Sequence, residues 1–76
     1  MKLIKLLLEC HKLLLAAADE ARASEVSGSR AFEEIIEAGE KVASALTRLR
    51  MEGRLDPETS KLVEREMERA VTRLNA

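Results

Sequence analysis

Residues 2–18 read KLIKLLLECHKLLLAAA, and this opening decides the fold. On a helical wheel with 100° per residue, Lys2, Lys5, Glu9 and Lys12, joined by Asp19 and Glu20, gather in an arc of roughly 100°. Apolar residues fill an arc of about 220° over the first four turns. Eight of the chain's Leu and Ile residues (Leu3, Ile4, Leu6, Leu7, Leu8, Leu13, Leu14 and Leu15) lie in this one segment. An apolar arc that wide exceeds what two neighbouring helices of a three-helix bundle can cover. Several exposed Leu side chains would forfeit about 1.5 to 3 kcal/mol each, comparable to the whole stability of a small domain.

Downstream, the helical pattern of the first segment is expected to run over 2–26 and to stop at Ser27-Gly28-Ser29, with Gly28 as the left-handed terminator. Ser29 then caps a second helix over 30–52. Its apolar positions, Phe32, Ile35, Ile36, Gly39, Val42, Ala43, Leu46 and Leu49, recur at three- and four-residue spacing. Gly53 stands where a helix ends, and Asp56-Pro57-Glu58 reads as an N-cap, a first-turn Pro and an acid favoured by the helix dipole. The third helix, 57–74, carries Val63, Met67, Ala70, Val71 and Leu74 on a narrow stripe bordered by Thr59 and Glu66, with Leu62 off it. Connections of three or four residues make successive helices antiparallel.

The whole chain is 76 residues and 8.5 kDa, with 46% apolar and 36% charged residues, one Phe, no Tyr and no Trp. That is one small domain, 1–76, of helical composition, burying roughly 60% of the surface its unfolded chain exposes. A net charge of −1 provides no positive field for nucleic acid or anionic lipid. One Cys excludes an internal disulfide. The Leu-rich start superficially resembles a secretory signal, but Glu9, His11 and Lys12 interrupt the apolar run, far short of an export signal or a membrane span. A cytoplasmic location is expected, with a membrane partner disfavoured.

Glu9-Cys10-His11 places an acid, a thiol and an imidazole in a row, yet adjacent residues of a helix point about 100° apart, so a nucleophile–base pair or a metal site would need a second chain. Cys10 is expected as a small core residue and His11 as a buried one near the middle of the apolar arc, in the seam between chains. There, protonation near pH 5 to 6 would loosen the assembly. The run Glu33-Glu34-x-x-Glu37 with Glu40 resembles the acidic helices of magnesium-dependent MazG-type pyrophosphohydrolases over one or two turns. Phe32, Ile35 and Ile36 claim the interior there, so these acids are expected outside, with Glu37 pairing to Lys41. The second and third helices resemble a helix-turn-helix, but Glu58, Glu64, Glu66 and Glu68 would repel phosphates. Gly39, inside the apolar stripe, is expected to permit close approach of the first helix, with a ligand slot as the alternative.

The caps, terminators and minimal loops agree with one another at every level. In this the stretch Leu13 to Ala23 and the loop Gly53-Arg54-Leu55-Asp56-Pro57-Glu58 resemble computationally designed helical-bundle oligomers; no natural family is recognised. The resemblance implies an idealised self-assembling scaffold.

The expectation is therefore an all-α, antiparallel, up-down-up three-helix bundle that assembles into a larger bundle of two to four copies. Its activity is self-association without catalysis or cofactor, and Leu3, Leu7, Cys10, His11, Leu14 and Ala18 lie at the shared seam. A module presenting its first helix to a different protein is the alternative. A Cys/His catalytic or metal site between chains is a distant third.

Overall fold

The computed structural model describes residues 2–74, with side chains over 2–70. Three α-helices follow one another, α1 (Lys2–Arg22), α2 (Arg30–Met51) and α3 (Pro57–Leu74), folded up-down-up as expected. No strand occurs among the described residues. Val71 and Leu74 of the expected α3 stripe lie beyond the described side chains.

The first helix stops four residues short of the expected Val26. Ser24 turns the chain aside: its hydroxyl donates to the Ala21 carbonyl at 3.0 Å and accepts from the Val26 amide at 3.3 Å. The Ser24 amide bonds Ala21 three residues back, rather than the carbonyl four back. A Ser that offers its own hydrogen bonds to nearby backbone competes with the helical ladder. The first connection is thus seven residues, 23–29, rather than three. Gly28, at φ 80°, makes the reversal inside this loop instead of closing α1.

The remaining ends follow the sequence signals. The Ser29 hydroxyl accepts from the Phe32 amide at 3.2 Å, filling one of the first-turn donors that a helix leaves open. Ser29→Ala is expected to lower stability by about 1 kcal/mol in urea titrations, and Ser29→Asp to retain it. At the end of α2, the Arg54 amide reaches the Leu49 carbonyl at 3.2 Å and the Gly53 amide the Arg50 carbonyl at 3.1 Å. This Schellman pair requires the left-handed φ of 72° that Gly53 supplies. Asp56 caps α3: its carboxylate accepts from the Thr59 amide at 3.3 Å and from the Thr59 hydroxyl.

Large side chains meet at one end of the bundle. Ile4 and Leu8 of α1, Leu46 of α2 and Val63 of α3 form the buried cluster, with Leu7, Val42, Leu49, Leu55 and Met67 packed against it. Toward the other end small residues face one another: Ala18 and Ala21 are buried on α1 and Ala70 on α3, while Gly39 and Ala43 are half-buried on α2. The acids Glu33, Glu34 and Glu37 are exposed as expected. The ion pair on that face is Arg30–Glu34 at 3.6 Å, in place of the expected Glu37–Lys41. Two further pairs tie α3 down, Arg50–Glu64 at 3.4 Å to α2 and Lys12–Glu66 at 3.9 Å to α1.

Gly39 corrects the close-approach reading. A Cβ built there would meet only the Leu14 Cβ, at 4.0 Å, an ordinary van der Waals contact. Packing does not demand glycine at this position. Gly39→Ala is expected to stabilise the fold by about 1 kcal/mol through helix propensity, read as a rise in the urea midpoint.

Candidate functional site

The expected seam residues divide between two environments. His11 and Ala18 are buried by the chain's own helices, Leu7 and Leu14 are half-buried, and Leu3 and Cys10 are exposed. α2 meets α1 around Leu14, opposite Gly39, and α3 meets it on the Lys12 side through Glu66. Together they cover the middle of the apolar arc, which is where His11 sits. The placement of His11 and Ala18 at a shared seam is therefore corrected: both are core residues of one chain.

What remains uncovered is the flank of α1 beyond α2. Leu3, Leu6 and Leu13 are 52%, 60% and 66% exposed, and Cys10 and Ala17 are exposed between and after them. The order 3, 6, 10, 13, 17 alternates steps of three and four, the spacing of a coiled-coil seam. On the wheel these five span about 80°. The wheel alone points to the middle of the apolar arc as the shared face and so leaves out Leu6 and Leu13, whereas the chain's own helices occupy that middle first. The exposed Val26, Met51 and Leu62 are scattered on the first loop, α2 and α3.

Glu9 and Cys10 face outward while His11 faces inward, so the three consecutive side chains of one chain do not converge. Among the described residues no group of three His, Cys, Asp or Glu is placed to hold a metal ion. No described helix is long and apolar enough to cross a membrane.

His11 is 3% exposed, and its Nδ1 is buried without a hydrogen-bond partner. Burial pushes the imidazole below its ordinary value of 6.5, while the negative charge of Glu66 pulls the other way. Glu66, itself buried, is held by Lys12 and by Arg69 at 3.5 Å. Sequence spacing put Glu66 only at the edge of the α3 stripe; in the fold its buried charge is compensated by Lys12 of α1 and by Arg69 one turn on in α3.

Because the folded-state pKa of His11 is depressed, the unfolded chain binds the proton more readily. Stability is therefore expected to hold above pH 6.5 and to fall as pH drops through and below that value. His11→Leu should flatten this limb in urea midpoints measured at pH 8, 6 and 5. Asp56 acts in a separate window. Hydrogen bonds from the Thr59 hydroxyl and then the Thr59 amide lower its pKa from 3.8, so the cap it makes persists until the medium is more acid than that.

Comparison with protein-family models, with curated proteins and with solved structures finds no match to this chain.

Proposed function

We propose that this chain is a non-enzymatic self-associating module, in which two copies pack the outer stripe of α1 against each other around a two-fold axis. The observation that carries this is the row Leu3, Leu6, Cys10 and Leu13, left open by a chain that buries the opposite side of the same helix. A seam about 80° wide suits a pair of helices better than the wider contact of a trimer or tetramer.

Charge favours the antiparallel direction. Lys2 and Lys5 lie at one end of α1 and Asp19 and Glu20 at the other, so reversing one copy brings opposite charges side by side. The centre of the stripe is residue 10, and an antiparallel pair sets Cys10 opposite its own copy. Sedimentation equilibrium at neutral pH is expected to return twice the chain's 8.5 kDa, and mild oxidation to join the copies through Cys10. A concentration-independent mass of 8.5 kDa overturns the proposal and leaves the stripe to a different protein's apolar helix.

A further inference from the structure

Between the large-residue end of the bundle and the first loop, where small side chains face one another, the three helices leave a half-open groove of about 390 Å³. Leu14, Ile36, Met67 and Ala70 give it apolar walls. Gly39 keeps the α2 wall bare, because an added Cβ there would meet only the Leu14 Cβ, at 4.0 Å. The volume lies at the small end of ligand pockets, roughly 300–1,000 Å³. Walls of this kind accept an alkyl chain, and each methylene taken out of water tightens binding about fourfold.

The rim carries one open charge. Glu40, the residue after Gly39, belongs to the lining yet is exposed, and among the described residues its carboxylate has no ion-pair partner. On the α1–α3 side the cations Lys12 and Arg69 are both engaged by Glu66, at 3.9 and 3.5 Å. The other polar members of the lining are His11, which is only 3% exposed, and the uncharged Thr47.

An apolar slot with a single unpaired carboxylate at its mouth is complementary to an amphiphile with a positive head. At the rim that head keeps part of its hydration while the chain behind it is buried, so the desolvation that penalises an enclosed ion is avoided. A carboxylate head would be repelled by Glu40, and a hydroxyl head would gain no charge attraction.

We infer that this groove binds a primary alkylammonium ion, its chain laid between the three helices and its cationic head against the Glu40 carboxylate. The site lies within one chain, on the covered face of α1, and does not depend on self-association through the open stripe.

The test uses hexylamine, butylamine, hexanol and hexanoate at pH 7, where the amines are cationic. They are titrated into methyl-labelled protein and followed by NMR at Ile36, Ala43 and Met67. Hexylamine is expected to shift these methyl signals and to bind about threefold tighter than hexanol and roughly 15-fold tighter than butylamine. Hexanoate should bind more weakly than hexanol. Glu40→Gln should bring hexylamine down to the affinity of hexanol while leaving hexanol unchanged, and Gly39→Leu, whose side chain enters the groove, should abolish both. L6E/L13E should bind as the wild type does. Equal affinity for amine and alcohol in the wild type, a preference that survives Glu40→Gln, methyl signals unmoved at saturation, or binding that disappears in L6E/L13E overturns the inference. Glu40 is a surface residue, so its substitution keeps the test decisive even if Gly39→Leu folds poorly.

Discussion

Replacing Leu6 and Leu13 together with Glu is expected to turn a dimer into a monomer, with the apparent mass halving in sedimentation equilibrium and no loss of helix. In a two-fold pair each substitution is felt twice, so four leucines leave the seam. Each is more than half exposed in the single chain, and burying the rest contributes about 1 to 1.5 kcal/mol per side chain. The sum corresponds to a dissociation constant raised roughly 10³- to 10⁴-fold. Glutamates beside Glu9 add like-charge repulsion to that loss. The same side chains contribute little inside the chain, so the monomer's urea midpoint, measured well below the dimer's dissociation constant, should move by less than about 0.5 kcal/mol. A variant that keeps the wild-type mass would mean that α1's outer stripe is not the contact.

Leu46→Ala is expected to have the largest effect on folding, a loss of about 3 kcal/mol. Leu46 is fully buried and stands at the point where α1, α2 and α3 come together with Ile4, Leu8 and Val63. A domain of this length has roughly 4 to 11 kcal/mol of stability in all, so one truncation removes a large fraction of it. Leu62→Ala supplies the contrast, because Leu62 is exposed on α3 and should cost less than about 0.5 kcal/mol. Urea unfolding followed by circular dichroism measures both. A Leu46→Ala loss below about 1 kcal/mol would show that the cluster at this end is not the centre of stability.

The elements were legible because their signals are local. Ser29, Gly53 and Asp56-Pro57 mark helix ends by chemistry confined to one turn, and all three act as their residue types require. The α2 stripe from Phe32 to Leu49 was equally plain, since its apolar positions recur at three- and four-residue spacing. The end of α1 was not legible. Ala23 to Val26 continue a helical pattern, and only Ser24's bonds to Ala21 and Val26 stop it. Serine is tolerated within a helix and outside one, so its type does not announce which will occur.

The candidate site was half legible. The width of the apolar arc on α1 follows from the wheel alone, as does the surplus of leucine over what one chain can cover. Which part of the arc stays open depends on where α2 and α3 lie around α1, and that is set by packing between residues far apart in sequence. His11 moved from seam to core for this reason, and Leu6 and Leu13, unassigned within the arc, came to lie on its open flank.

Residue spacing by itself determined three helices, their caps and their antiparallel order, because hydrogen bonding within a turn and apolar periodicity are properties of neighbours along the chain. Only the tertiary structure decided that α3 lies on the Lys12 side of α1, that an 80° flank remains bare, and that His11 is buried within the one chain. Those outcomes depend on how side-chain volumes from three separate segments fit together, and no single segment carries that sum.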